Sequence, residues 1–202
     1  MNSNDDRNAR HKRAMKRKKD HVDQRIAAAT IDKGLVVVLT GNGKGKSSSA
    51  FGMLARSVGH GMRAGVVQFI KGIWECGEQL LFQDHPLVEF HVMKTGFTWE
   101  TQDREKDIAA AEATWKQAAR LLQDSNCELV LLDELTYMLT YGYLDATTVI
   151  NAIDNRPPGQ HVIITGRNAS KALVELADTV SEIKDIKHAF NSGIKVQKGI
   201  DY

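Results

Sequence analysis

The run GLVVVLTGNGKGKSSSA, Gly34 to Ala50, sets a glycine- and lysine-rich stretch between an apolar segment and a string of small hydroxylated residues. Gly41, Gly43 and Gly45 permit a backbone curl in which successive N–H groups converge on one anion, with Asn42 and Lys44 between them. Lys46 adds a mobile cation, Ser47 a hydroxyl where such loops hold magnesium, and Ser48 a second hydroxyl. These residue types support capture of a triphosphate, with the positive end of the following helix dipole aimed at it. The spacing departs from Gly-x4-Gly-Lys-Ser/Thr at one place: Thr40 stands where the first glycine is usual.

A second signal is CELVLLDELTY, Cys127 to Tyr137, where an apolar strand ends on two carboxylates, Asp133 and Glu134. A carboxylate there can bind Mg2+ directly or through water while the Ser47 hydroxyl takes another position. Spacing does not choose between the two, and an acidic pair after a strand also suits a helix start. In MKTGFTWETQDRE, Met93 to Glu105, Phe97 and Trp99 flank one threonine in a loop that follows a strand. Two large aromatics in a loop serve either core packing or the face of a large flat ligand. Arg167, after HVIIT and Gly166, and Lys71, after VVQFI, stand at strand ends. A cation there either reaches a phosphate oxygen or ribose or is simply solvated.

The seven histidines are dispersed and form no HxxxH or Cys/His cluster, so a protein-held transition metal is not expected. Cys76 and Cys127 lack a CxxC partner, which suits free thiols in a reducing cytoplasm. There is no GxSxG, and no Cys/His pairing stands out, so the attacking atom in any reaction must come from a substrate.

The elements that must carry these groups alternate. Strands are predicted at Leu35–Thr40, Ala64–Ile70, Val88–Met93, Glu128–Leu132, His161–Thr165 and Thr179–Ile186. Helices are predicted at Ser47–Val58, Arg104–Gln123, 144–153 and 169–177. The long helix has Ile108, Ala111, Trp115, Ala119 and Leu122 on one face. Strands separated by helices argue for an α/β fold, a mostly parallel sheet with helices on both faces, and place a ligand at the strands' carboxyl ends.

Length and composition fit one domain of 202 residues with 42% apolar residues and no apolar run near the ~20 needed to cross a bilayer. The net charge of +2 is unevenly spread: residues 1–33 carry ten Lys/Arg against five Asp, and the rest seventeen against twenty acidic residues. Residues 1–33 therefore read as a basic leader, and 34–202 as the nucleotide-binding domain. Asn2–Lys19 is expected to be disordered or marginally helical, and Asp20–Thr30 a weak amphipathic helix through Val22 and Ile26. The basic run His11–Lys19 raises the alternative of a nucleic-acid-dependent ATPase, but clustered charge is more often a solvated tail and the remaining domain is acidic, so no nucleic-acid partner is expected. A kinase is disfavoured because no residue is evident to activate an acceptor hydroxyl.

Together, TGNGKGKSS, GVVQFIKG, TGFTWETQ, LDELTY, VIITGR and the terminal HAF…GIDY resemble the ATP:corrinoid adenosyltransferases of the cobalamin pathway, from about Val22 to Tyr202. The resemblance implies a P-loop NTPase-like (RecA-like) fold that binds ATP in reversed orientation across the loop. It further implies transfer of the 5′-deoxyadenosyl group of ATP to Co(I) of a reduced corrinoid, with release of triphosphate. It assigns Gly41–Ser48 and Arg167 to ATP, and Lys46 and Ser47 to phosphate and metal. Glu134, with Asp133 next, is implied as the carboxylate for Mg2+, or Mn2+ in its place. Phe97 and Trp99 are implied to face the corrin, keeping an axial ligand from Co(II) so that a weak reductant such as flavodoxin suffices. The leader is implied to act as a lid, and the assembly to be a cytoplasmic homodimer with no membrane contact.

Overall fold

The computed structural model describes residues 3–70, 76–93 and 103–202. By its internal contacts the chain divides into Met1–Asp32 and Lys33–Tyr202. The first unit carries one continuous helix, α1 (Ser3–Ala28), which takes the helical of the two alternatives left for Asn2–Lys19 and joins it to the weak helix expected after it. Arg, Lys and Ala are strong helix formers, and the Asp6–Arg10 and Lys19–Asp23 pairs lie one turn apart, which favours the helix along its whole length. Its apolar side chains Met15, Val22 and Ile26 are exposed.

The second unit is built on six strands: β1 (Val36–Thr40), β2 (Ala64–Gln68), β3 (Val88–Val92), β4 (Leu129–Asp133), β5 (His161–Thr165) and β6 (Thr179–Glu182). All their pairings are parallel, in the order β3-β2-β4-β5-β1-β6. The connecting helices are α2 (Lys46–Gly59), α3 (Gly77–Phe82), α4 (Arg104–Gln123), α5 (Leu135–Thr140), α6 (Ala146–Asp154) and α7 (Lys171–Leu176). A short 3-10 turn spans Phe190–Ser192. This is the expected α/β architecture, of the P-loop NTPase-like, RecA-like class, with the sheet wholly parallel. The predicted strands and long helices fall within a few residues of those observed. Helix α3 was not foreseen, and α5 only as the alternative in which Asp133-Glu134 precede a helix start.

Strand side chains alternate between two cores, as a pleated strand requires. Val36, Val38, Val67, Val130, Leu132, Val162 and Ile164 face the side covered by α4, α5, α6 and α7. Leu39, Val66, Leu129, Leu131 and Ile163 face α2, through Ala50, Phe51 and Leu54, with Phe82 of α3 beside them. On α4 the buried positions are Asp107, Ala111, Trp115, Ala118, Leu121 and Leu122. The predicted stripe is thus rotated slightly: Ile108 and Ala119 are only half-buried, while Ala118 and Leu121 lie inside.

The last strand stops at Glu182 rather than running to Ile186, because the chain there turns onto the Gly41–Ser47 loop. Ile183 donates its N–H to the Thr40 carbonyl at 2.8 Å and accepts from the Gly43 N–H at 2.8 Å. These bonds continue β6 only as far as the loop needs a backstop.

Candidate active site

The same alternation that builds the cores also builds the site. Val66, Leu131 and Ile163 face α2, so the residues two further on, Gln68, Asp133 and Thr165, face α2 as well. These three end neighbouring strands: Gln68 is in register with Asp133, and Leu132 with Ile164, the residue before Thr165. Three buried polar side chains therefore gather at the carboxyl edge, on the face covered by the helix that begins with Lys46 and Ser47.

The loop between β1 and α2 curls through left-handed conformations at Gly41 (φ 102°) and Gly45 (φ 115°). A Cβ on Gly41 would sit 2.4 Å from the Ile183 carbonyl oxygen, and one on Gly43 2.5 Å from that of Lys184. Both glycines are thus required by close backbone approach as well as by the curl. Gly41→Ala is expected to destabilise the protein by at least about 1–3 kcal/mol, the cost of a non-glycine residue in such a conformation. Urea unfolding of the variant, alongside nucleotide titration, measures this; a wild-type midpoint would refute the strain.

Lys46 is buried, and its Nζ donates to the Gly43 carbonyl at 2.8 Å, closing the loop on its own cation. Burial holds its pKa below the ordinary lysine value, while the nearby Glu134 carboxylate pulls in the other direction. Asp133 is enclosed by donors: Thr165 Oγ1 at 2.6 Å, Gln68 Nε2 at 3.0 Å and the Ser47 hydroxyl. Burial nonetheless raises its pKa, because three hydrogen bonds do not replace a full hydration shell. Glu134 differs. Its backbone is left-handed (φ 58°), its N–H donates to Thr165 Oγ1 at 2.9 Å, and its pKa is pushed up to about 7 by burial and by Asp133. Among the described residues its buried Oε2 has no hydrogen-bond partner.

A cleft of about 660 Å³ joins these groups. Asn42–Ser48, Asp133, Glu134 and Arg167 all line it. The structure thus brings together the loop, both carboxylates and the exposed Arg167. Gly41 lies at the loop's root rather than in the cleft wall. Phe97, Trp99 and Lys71 fall outside the described residues. Sequence reasoning did not assign Gln68 or Thr165 to the site, nor the cleft-lining Cys76, Glu78, His188 and Gly199–Tyr202. Two of these carried a signal: each is a polar residue closing an otherwise apolar, buried strand, AGVVQ and HVIIT. The C-terminal GIDY carried a family resemblance but no sign of its place, since only tertiary structure folds Asp201 onto Lys44, with which it forms an ion pair.

The donor set fits a hard divalent cation. A buried carboxylate oxygen without a donor, a neighbouring carboxylate and a serine hydroxyl are oxygen ligands of the kind Mg2+ prefers.

Comparison with known proteins agrees with this geometry. The model of the family described as ATP:corrinoid adenosyltransferase BtuR/CobO/CobP matches residues 32–202. A corrinoid adenosyltransferase of Pseudomonas aeruginosa strain PAO1 is 54% identical over 203 residues, covering 100% of both chains. One from Escherichia coli K12 is 53% identical over 193 residues, covering 96% of this chain and 98% of that protein. The corrinoid adenosyltransferase CobA of Salmonella typhimurium LT2 is likewise 53% identical over 193 residues, with the same coverage. Matched over residues 32–202 by the family model and more than half identical to these relatives over nearly its whole length, the chain belongs to the ATP:corrinoid adenosyltransferase family, which transfers the adenosyl group of ATP to a reduced corrinoid.

Proposed function

We infer that the cleft holds the triphosphate of ATP on Gly41–Ser48 and releases it whole as a corrinoid Co(I) attacks the ribose C5′. The observation that carries this reading is the convergence in one cleft of Asn42–Ser48, with buried Lys46, and of Glu134, whose Oε2 has no hydrogen-bond partner among the described residues. As the C5′–O bond breaks, negative charge builds on the departing triphosphate. The Asn42–Lys46 amides and the N-terminus of α2 are already oriented to meet it, so little reorganisation is needed. Lys46 exchanges the Gly43 carbonyl for a phosphate oxygen, and Arg167 is near enough to add a second cation. Ser47 and Glu134, with Asp133 beside them, would hold Mg2+, or Mn2+ in its place. When bound, the ion neutralises phosphate charge and acts as a Lewis acid on the leaving group.

Phe97 and Trp99 are assigned to the corrin's lower face, where apolar rings exclude an axial donor and make Co(I) easier to reach. Phe97→Ala and Trp99→Ala are expected to slow turnover from Co(II) about tenfold, the scale of one lost aromatic contact, and turnover from prereduced Co(I) much less. Equal losses from both starting states would remove the redox role.

The remaining assignments extend this reading. A soluble electron donor of the flavodoxin type supplies the reducing equivalent, and residues 1–33 serve as a lid that keeps water from Co(I). The enzyme works in the cytoplasm; among the described residues no helix is long and apolar enough to cross a membrane. A homodimer is supported by exposed apolar side chains on the C-terminal segment, Ile186, Phe190, Ile194 and Ile200. Sedimentation at micromolar concentration tests that assembly.

The deciding experiment is product analysis with ATP, Mg2+ and reduced cobalamin. A light-sensitive Co–C bond and intact triphosphate are expected. Orthophosphate or ADP in place of triphosphate would overturn the reading.

A further inference from the structure

We propose that Thr165 is a positioning residue for the metal–triphosphate site, one hydroxyl that sets both the Asp133 carboxylate and the Glu134 backbone. The proposal rests on the assignment of Mg2+ to this cleft. Thr165 is fully buried at the end of β5, with its side chain on the α2 face. Its Oγ1 donates to Asp133 Oδ1 at 2.6 Å and accepts from the Glu134 N–H at 2.9 Å. A hydroxyl has one proton to give and two lone pairs to receive, so it joins an acceptor to a donor. Both partners lie on the neighbouring strand's end, at the two residues that would face the ion.

The need for such a tie is visible at Glu134. A non-glycine residue in the left-handed region is strained and persists only where its surroundings hold it. The N–H bond to Thr165 is one restraint; the other is a bond from the Tyr137 N–H to the Glu134 carbonyl at 3.3 Å. The next residue on β5 completes the seat. A Cβ on Gly166 would fall 2.0 Å from Thr136 Oγ1 and 3.2 Å from Glu134 Oε2. Thr165 therefore pins the backbone while Gly166 leaves room for the carboxylate.

Valine has the shape of threonine but would present a methyl group to a buried carboxylate oxygen and a buried N–H. With the tie gone, Asp133 and the Glu134 peptide are free to turn away from the ion. Loss of a residue that orients metal ligands weakens affinity by about 10–100-fold.

The test uses Mn2+ as an EPR-visible probe, titrated into full-length protein with ATP, for wild type and for Thr165→Ser, Thr165→Val and Thr165→Ala. Far-UV circular dichroism and thermal unfolding are recorded in parallel, as is ATP affinity without metal. Thr165→Ser is expected to match wild type. Thr165→Val and Thr165→Ala are expected to bind Mn2+ about 10–100-fold more weakly, with folding and metal-free ATP affinity unchanged. Wild-type Mn2+ affinity in either hydroxyl-free variant would overturn the proposal. So would failure of both to fold, or a parallel loss of metal-free ATP binding, since each would make the hydroxyl merely structural. Absence of an ATP-dependent Mn2+ signal in wild type would instead overturn the metal assignment itself, and this proposal with it.

Discussion

Lys46→Met is expected to lower kcat/KM for ATP by on the order of 10²–10³-fold, the scale for losing one preorganised electrostatic contact to the charge formed in the transition state. Methionine retains most of the apolar stem, so the packing of α2 on the sheet survives while the cation does not. Among the described residues this lysine is a buried charge whose Nζ donates to the Gly43 carbonyl, and burial already disfavours its protonated form. Removing it should therefore leave thermal stability unchanged or raised. The combination separates function from folding: activity falls sharply, and the melting temperature does not. Steady-state assays from prereduced corrinoid, alongside calorimetry, measure both. Wild-type kcat/KM would take Lys46 out of the site.

Glu134→Gln carries the second large effect, and its sign depends on pH. The folded protein holds this carboxyl at about 7 against an ordinary 4.5, chiefly through burial and then through Asp133, with Lys46 and Arg167 opposing. Below pH 4.5 the folded and unfolded chains both keep the proton, and the group has no effect on stability. Between pH 4.5 and 7 the unfolded chain releases its proton while the folded chain retains it, so stability falls as pH rises. Above pH 7 both are ionised, and a cost on the order of 3 kcal/mol persists. Glutamine does not titrate, so the variant should melt higher than wild type at pH 8 and alike near pH 4.5. Adenosyl transfer should fall by roughly 10²-fold or more at every pH, as for other lost transition-state contacts. A stability difference that grows toward acid would refute the assignment of the shift to Glu134. The two outcomes share one physical origin: burial of Glu134, whose Oε2 has no donor among the described residues, costs more than Lys46 and Arg167 return, and a bound divalent cation would offset the rest.

Much of this was legible in the residues. Strong local signals survive folding unchanged: the β-branched run into Gly41–Ser47, the strand HVIIT, and the helix Arg104–Gln123 all stand where periodicity placed them. The loop's glycines were legible because positive φ and close approach both select glycine, leaving a mark in composition. For the leader the residues left disorder and helix both open, because its thin apolar stripe argues against a helix while its helix formers and charge pairs favour one.

What sequence alone determined, then, was a glycine- and lysine-rich loop after a strand, a carboxylate pair at another strand's end, and family membership that the comparisons establish. Those are properties of residue type and short spacing. Only the tertiary structure decided which residues meet. Strand order sets β2, β4 and β5 side by side, and pleat parity turns Gln68, Asp133 and Thr165 to one face. The same packing satisfies Asp133 with three donors, leaves Glu134 Oε2 with none among the described residues, and folds the C-terminal Asp201 onto Lys44. Register and burial depend on contacts between residues tens of positions apart, which local pattern does not encode.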